Sequence, residues 1–329
     1  MGGNLFKLGR LPRADYKQIE TEIKAYLDQK LGQHYRIPRY YTNKPDFGDM
    51  DIVVSSAGIT NGWEQTQKEI VQDLGISQSK SAGAVFSTVY KNFQVDFFVR
   101  SHQYFETTYN FLSFNDIGNL IGRIFKRFNL KYGERGLQYV FRRVDNHYQK
   151  DIEVSKDAAR IMGFLKLDFD HWQRGFASKA EMFDWVVACP YFSVKPYLDM
   201  SNKMEKRAKE RPTIQAFLEY LEAQHIDKTY DFDEKDAYLS AIEAYFPEAD
   251  LLTHIAAEKE REKYVLAIKT KYNGRLIMKL FPNLQGKALG DFMKAFQAQW
   301  QDYEEALYSM KAEEIVARLK EFYYQLNRS

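Results

Sequence analysis

The sequence predicts an α+β fold, in which a small sheet carrying three aspartates precedes a mostly helical C-terminal half. Before residue 110, short segments alternate apolar and polar side chains with the period of a half-buried strand. From about residue 150 onward, apolar residues recur at helical spacing and strand patterns nearly vanish. The 329 residues contain no fixed-period repeat, so the main internal boundary is this change of pattern.

The first half is predicted to mix helices and strands. The segment YRIPRYY is aromatic but interrupted by Pro38, which favours an edge strand or an irregular extended segment. Two apolar segments are separated only by Lys91-Asn92, which predicts a hairpin. The pattern predicts helices over 16–31, 64–74 and 116–131, and strands over 84–90 and 93–99.

Composition limits the classes of protein to consider. The formal charge is only +2, yet residues 123–150 hold eight Lys or Arg against Glu134 and Asp145, which is typical of a polyanion-binding surface or of a solvated helix face. A single cysteine, Cys189, excludes an intramolecular disulfide. No apolar run approaches the roughly eighteen residues of a membrane span. We therefore expect a cytoplasmic protein without a membrane partner.

The stretch DFGDMDIVVSS, at residues 46–56, places two acidic side chains at the start of an apolar strand. Because side chains alternate along a strand, Asp49 and Asp51 share one face while Met50 and Ile52 occupy the other. A pair of this kind at a strand end is more often a turn or a helix cap.

The strand FQVDFFVR, at residues 93–100, carries Asp96 in an otherwise apolar centre. If the two strands are neighbours, Asp96 meets Asp49 and Asp51, and three converging carboxylates repel one another unless a cation neutralises them. Hard divalent cations take oxygen ligands, so the pattern indicates a site for Mg²⁺ or Mn²⁺.

The motif GDMDIVV, at residues 48–54, resembles the metal-binding motif of the DNA polymerase beta superfamily of nucleotidyltransferases, the X family, and Asp96 resembles its third carboxylate. Residues 103–137 are similar to the segment that leads from the palm into the nucleotide-binding subdomain of that family, and the resemblance spans roughly residues 16–145. It implies that Asp49 and Asp51 bridge two metal ions while Asp96 completes the site. It further implies nucleotide contacts for Gly48, Asp116 and Asn119, and a template contact for Arg123. Lys126 and Arg127 follow one turn later on the same helix face, so this spacing predicts nucleic-acid contacts for them too.

Two departures from the family concern the triphosphate and the sugar. The family places a Gly-Ser pair upstream of the paired carboxylates, whereas IPRYYTNKPDFGD has none, so triphosphate binding is expected to fall to Arg39, Thr42 or Lys44. The glycine of a family turn is replaced by Phe114, and the family's way of sensing the sugar is therefore not carried over.

A second resemblance lies at residues 271–300, which are similar to the tail of bacterial tRNA nucleotidyltransferases and poly(A) polymerases. Gly286 and Gly290 take the place of that family's glycines. They would let phosphate approach backbone N–H groups, with Lys287 adding charge. Two close helix contacts explain the same glycines equally well.

Together these features predict a nucleotidyltransferase that uses Mg²⁺ or Mn²⁺ to add nucleotides from NTP or dNTP to a DNA or RNA 3′ end. Two alternatives are transfer to a protein or small molecule, and a silent nucleic-acid-binding protein. The predicted domains are a palm (1–110), a nucleotide- and template-contacting subdomain (111–150) and an acceptor-binding helical domain (151–329). The residues leave open template dependence, the choice between DNA and RNA, and the oligomeric state.

Overall fold

The computed structural model describes residues 5–142, 149–198 and 211–326, without the side chain of Gln149. Arg143 and Asp145 of the charged run lie outside the described residues. Contacts divide the chain into two compact units. The first comprises Met1–Val140 and Asp151–Ala249, and the second Phe141–Lys150 and Asp250–Ser329. The functional division at residues 110 and 150 stays a prediction.

A five-stranded mixed sheet forms the centre of the first unit. Its strand order is β2-β4-β7-β6-β5, with β4 parallel to β7 and the other neighbours antiparallel. A separate two-residue pair joins β1 to β3. The strands are β1 Leu11–Pro12, β2 Tyr35–Arg36, β3 Asp46–Phe47, β4 Asp49–Ser55, β5 Gln78–Ala82, β6 Val85–Tyr90 and β7 Phe93–Arg100.

One face of this sheet is the core, where helices α1 (Arg13–Leu31) and α2 (Trp63–Asp73) contribute side chains to the same apolar cluster as β4 and β7. Ile52 on β4 lies opposite Phe97 on β7, and neither is exposed. The opposite face therefore receives the alternate residues of both strands, which include the three aspartates. The predicted strands at 84–90 and 93–99 are confirmed, and their turn uses Lys91 and Asn92 with φ of 48° and 62°.

The predicted helix over 116–131 is too long. Helix α4 (Ile117–Phe125) continues as a short 3₁₀ turn and ends at Asn129, whose φ of 60° is left-handed. The chain then forms a second sheet of order β10-β9-β8, which the sequence pattern did not indicate. Its strands are β8 Leu130–Gly133, β9 Gly136–Arg142 and β10 Gln149–Ser155.

After Ser155, every regular element in the described part of the chain is helical, as predicted for the C-terminal half. None of the described helices is both long and apolar enough to cross a membrane. The remaining α-helices are α3 Phe105–Leu112, α5 Ala158–Phe164, α6 Phe169–Arg174, α7 Lys179–Ala188, α8 Lys195–Leu198, α9 Pro212–Ala223, α10 Leu239–Tyr245, α11 Leu251–Lys271, α12 Gly274–Leu280, α13 Gly286–Gln297, α14 Tyr303–Ser309 and α15 Ala312–Leu326.

Candidate active site

Three carboxylates meet on the open face of β4 and β7. The parallel register places Asp51 directly opposite Asp96, and Asp49 lies two residues before Asp51 on the same face. One carboxylate oxygen from each residue lies within 4.8 Å of the other two. The predicted convergence of the three aspartates is confirmed.

Asp96 is the most enclosed of the three, with 7% of its surface exposed. Gln94, itself buried, donates a hydrogen bond from Nε2 to Asp96 Oδ2 at 2.8 Å. The other oxygen, Oδ1, is buried without a hydrogen-bond partner among the described residues. Burial raises the pKa of Asp96 above its ordinary value, and the side chains of Ser87 and Gln94 lower it in part.

Asp51 is partly buried beside two other negative charges. Burial raises its pKa well above the ordinary value, and the negative charges of Asp49 and Asp96 raise it further, whereas Lys44 acts in the opposite direction. Like charges this close disfavour simultaneous ionisation. The site is therefore costly to hold in its ionised form without a cation.

The residues present fit a divalent cation. An ionised carboxylate offers only acceptor oxygens, and Asp96 Oδ1 is an acceptor already removed from water without a donor to satisfy it. Three carboxylates in reach of one another form the donor set that Mg²⁺ and Mn²⁺ prefer. Asp49, Asp51 and Asp96 are the residues that would hold such an ion.

Lys44 is a predicted site residue whose positive charge lowers the pKa of Asp51. Its Nζ donates to Asn115 Oδ1 at 3.1 Å and lies 4.4 Å from the centre of the Phe47 ring. Burial lowers the pKa of Lys44 to about 8, although Asp49 and Asp51 favour its charged form. With a pKa of about 8 the amine is still mostly protonated at pH 7, so it places a positive charge beside the aspartates.

The loop that carries Lys44 is fixed by main-chain hydrogen bonds. Thr42 donates from its N–H to the carbonyl of Phe176 at 2.8 Å, and Asn43 donates to the carbonyl of Ala177 at 2.9 Å. These bonds hold the backbone immediately before Lys44 in one conformation. The backbone therefore has little ordering entropy left to lose when Lys44 binds a ligand.

The turn that presents Asn115 forms without the glycine of the family pattern. Phe114 and Asn115 both have φ of 60°, a left-handed conformation that is unusual for phenylalanine. The Phe114 ring is buried and contacts Trp172 and Phe176 edge-on, with centroids 4.9 and 4.8 Å away. This packing offsets the backbone strain and fixes the turn beside Lys44.

Arg39 lies against the same aromatic group. Its guanidinium is 4.7 Å from the Phe114 ring and 5.8 Å from the Trp172 ring, and Nη1 donates to the carbonyl of Gln173 at 2.8 Å. Burial lowers the pKa of Arg39. These contacts give the side chain a packing function, and its triphosphate contact stays a prediction.

Asp116 and Asn119 are brought together at the start of α4. Asn119 donates from Nδ2 to Asp116 Oδ1 at 3.0 Å, and Arg211 forms an ion pair with the same carboxylate. Gly48 is buried between β3 and β4. The nucleotide contacts assigned to these three residues by resemblance stay predictions.

The basic residues after Asn119 occupy different environments. Arg123 donates to the carbonyl of Pro196 at 3.1 Å and lies 5.5 Å from the ring centre of Tyr197. Lys126 and Arg127 are exposed in the first unit. Lys287 is also exposed, but it lies in the second unit, in the first turn of α13. Their nucleic-acid contacts stay predictions.

Gln94 is a site residue that the sequence analysis missed. It precedes Asp96 by two residues, so the two side chains share a face of β7, and it also accepts a hydrogen bond from the N–H of Leu5 at 3.2 Å. A second polar residue at alternate spacing in FQVDFFVR was the available signal. Gln94 orients the carboxylate that has the free oxygen.

Comparisons with known proteins give matches only among solved structures. No family model and no curated protein matches the chain. A ternary P/T complex of Leishmania infantum polymerase beta is similar at 15% identity and a TM-score of 0.33, over 40% of this chain and 59% of that chain. A ternary gap complex of the same polymerase is similar at 14% identity and a TM-score of 0.32, over 40% of this chain and 52% of that chain. The chain thus spans between half and three fifths of the polymerase chains that it matches.

Proposed function

We propose that this chain is a metal-dependent nucleotidyltransferase that adds nucleotides from NTP or dNTP to the 3′ end of a nucleic acid. The observation that carries the proposal is the convergence of Asp49, Asp51 and Asp96, with one buried oxygen of Asp96 lacking a donor. The resemblance of GDMDIVV and Asp96 to the X-family motif supports the same chemistry.

In this proposal Asp49, Asp51 and Asp96 would hold the divalent cations, with Asp96 next to the attacking 3′-oxygen. When bound, the cations would favour ionisation of the 3′-hydroxyl and neutralise the triphosphate and the leaving pyrophosphate. The 3′-oxygen forms a bond to the α-phosphorus as its proton passes to solvent water, and the bond from that phosphorus to the oxygen bridging to the β-phosphate breaks, so that pyrophosphate leaves. Gln94 keeps the Asp96 carboxylate in orientation through its hydrogen bond.

Transfer to a protein or small-molecule acceptor is the second candidate. One observation favours it: IPRYYTNKPDFGD has no Gly-Ser pair. The triphosphate would therefore be bound by other residues than in the X family. The acceptor is the only difference between the two candidates, since both use the same aspartates.

The test is an incubation of the purified protein with Mg²⁺ or Mn²⁺ and each labelled NTP or dNTP. Separate reactions contain a DNA primer-template, a DNA single strand, an RNA strand or no acceptor. We expect label on a strand, with pyrophosphate released in equal amount. Label on the protein or on an added small molecule in the reactions without a strand would favour the second candidate, and no transfer in any reaction would contradict both.

Replacing Lys44 with alanine is expected to raise the KM for nucleoside triphosphate by about ten- to a hundredfold, because a hydrogen bond to a charged group contributes roughly 1.5–3 kcal/mol. The kcat should fall less, since the aspartates remain. Steady-state kinetics at saturating acceptor measure both constants.

The control for Lys44→Ala is Lys68→Ala, which removes an exposed lysine on α2 and should leave KM unchanged. Melting temperatures of the two variants show whether the fold persists. An unchanged KM in folded Lys44→Ala would mean that the triphosphate binds other cations.

A further inference from the structure

A cavity of about 330 Å³ in the first unit combines cations with aromatic rings. Its lining includes Arg127, Lys195, Tyr230, Phe232, Ser193 and Asp231. Pockets that hold small ligands measure roughly 300–1,000 Å³, so this one suits a single nucleotide-sized group.

Two of the three chain segments that line the cavity, 193–196 and 230–232, are held together by hydrogen bonds that flank them. Lys228 donates from Nζ to the carbonyls of Val187 and Cys189 at 2.9 and 2.8 Å. Val194 donates from its N–H to the carbonyl of Lys228 at 3.0 Å. The cavity is therefore formed before a ligand arrives.

The rings of the cavity are supported from behind by other aromatic side chains. Buried Phe128 contacts Phe232 edge-on at 5.3 Å and Tyr191 at 5.2 Å. Tyr230 contacts Phe232 at 4.7 Å and Tyr191 at 5.2 Å, and both Tyr230 and Phe232 remain partly exposed. A fixed, accessible ring is what a planar ligand needs for stacking.

Both cations of the cavity are accessible. Arg127 is exposed, and its guanidinium lies 5.1 Å from the Phe232 ring centre. Lys195 Nζ lies 3.6 Å from Asp231, with side chains 69% and 94% exposed. Ion pairs this exposed stabilise little, so Lys195 can exchange Asp231 for a ligand anion at small cost.

We infer that this cavity binds one nucleotide of a single-stranded nucleic acid, with the phosphate on Arg127 and Lys195 and the base against Tyr230. Single-strand binding surfaces combine positive charge along the backbone with aromatic rings under the bases. In a duplex the base faces are stacked and cannot reach a ring. The inference deepens the proposed function, on which it rests for taking the strand as the acceptor, but strand binding itself needs none of the aspartates.

The test measures binding of the full chain to a fluorescently labelled dT or U oligonucleotide of about 12 nucleotides by anisotropy, over a series of salt concentrations. Lys195→Glu is expected to raise Kd about tenfold, because it removes one phosphate contact and adds a repelling charge. Lys195→Ala should reduce the slope of log K against log salt by about 0.7.

Lys68→Glu is the matched control. Lys68 pairs with Glu64 at 3.2 Å, and their side chains are 67% and 85% exposed, close to the values of the Lys195–Asp231 pair. It should change Kd less than about twofold, since it stands outside the cavity. Equal effects of the two charge reversals would overturn the inference, because the binding would then depend on net charge alone.

Two further variants test the chemistry assigned to the cavity. Asp231→Asn is expected to tighten binding about twofold, because it removes the anion that competes for Lys195. Tyr230→Leu should weaken binding about tenfold, whereas Tyr230→Phe keeps the ring and should bind as the unmodified protein does. Equal binding by Tyr230→Leu and Tyr230→Phe, at equal melting temperatures, would overturn the stacking assignment.

The outcomes separate this inference from the proposed function. Asp96→Asn should bind the oligonucleotide at least as tightly as the unmodified protein. Nucleotide transfer that is insensitive to Lys195→Glu and Tyr230→Leu would overturn the inference alone. Strand binding that depends on both residues, without any transfer, would contradict the proposed function alone. A duplex of the same length that binds as tightly, with the same loss from Lys195→Glu, would overturn the single-strand assignment.

Discussion

Replacing Asp96 with asparagine is expected to reduce nucleotide transfer by a factor on the order of 10³ or more, which corresponds to about 4 kcal/mol of transition-state stabilisation. The variant keeps the shape of the side chain, and its amide oxygen can still accept the hydrogen bond from Gln94. It loses the negative charge that a cation beside the 3′-oxygen requires. Initial rates with saturating nucleotide and strand measure the loss.

The stability of Asp96→Asn separates this explanation from misfolding. Without metal the variant should melt at the same temperature as the unmodified protein or higher, because one buried charge among repelling neighbours has been removed. Asp73→Asn is the control, since it neutralises a carboxylate on the surface of α2 that pairs with Lys30. Full activity in a folded Asp96→Asn protein would contradict the three-carboxylate model.

The three aspartates could be predicted from the sequence because strand alternation is strict. A period of two places Asp49 and Asp51 on one face, and Asp96 was the only charged residue within its apolar segment. The alternation of side chains does not show which strands pair with each other in the sheet. The parallel pairing of β4 with β7, which brings Asp51 opposite Asp96, joins residues that are 45 positions apart along the chain.

The second sheet was missed because its first strand follows a helix with little to mark the junction. Residues 117–128 carry helical spacing, and the helix ends only where Asn129 adopts a left-handed backbone. Asparagine tolerates this conformation without requiring it. The strands β8 and β9 then pair around a turn between Gly133 and Gly136.

The contacts of long charged side chains could not be predicted from the sequence either. Arg39 was assigned to the triphosphate because the Gly-Ser pair is missing, and Arg123 to nucleic acid by resemblance. The structure places each guanidinium against an aromatic ring and a backbone carbonyl. Arginine buries its stem and stacks readily, so its position along the chain does not reveal whether it packs or binds. Lys44 is different, because its environment includes the charges of Asp49 and Asp51.

Adding Mg²⁺ or Mn²⁺ to metal-free protein is expected to raise its melting temperature by about 5–10 °C at a hundredfold excess over Kd. Binding at that concentration stabilises the folded state by about 2.7 kcal/mol, and roughly 2–4 °C corresponds to each kcal/mol for domains of 150–250 residues. Asp51→Asn should lose most of this gain. The melting shift and the transfer activity are measured with the same ion, Mg²⁺ or Mn²⁺, so that the two results can be compared.

The pH dependence of the metal-free protein provides the complementary measurement. Asp51 and Asp96 have pKa values raised above the unfolded value, so the folded state binds more protons than the unfolded state between those values. Their contribution to stability is therefore most favourable below the unfolded pKa of about 3.9 and is lost as the pH rises through the folded values. The variant Asp51→Asn removes this loss, so its advantage in melting temperature over the unmodified protein should grow as the pH rises.

Metal should reverse this trend, because the cation binds the ionised carboxylates and its affinity rises as they lose protons. The gain in melting temperature from Mg²⁺ is thus expected to be small at acidic pH and to grow as the pH rises. At each pH, the metal-induced gain of Asp51→Asn is subtracted from that of the unmodified protein. This subtraction removes the effect of other carboxylates that titrate in both proteins. A metal-induced gain that is independent of pH, or one that Asp51→Asn retains in full, would place the cation away from the three aspartates.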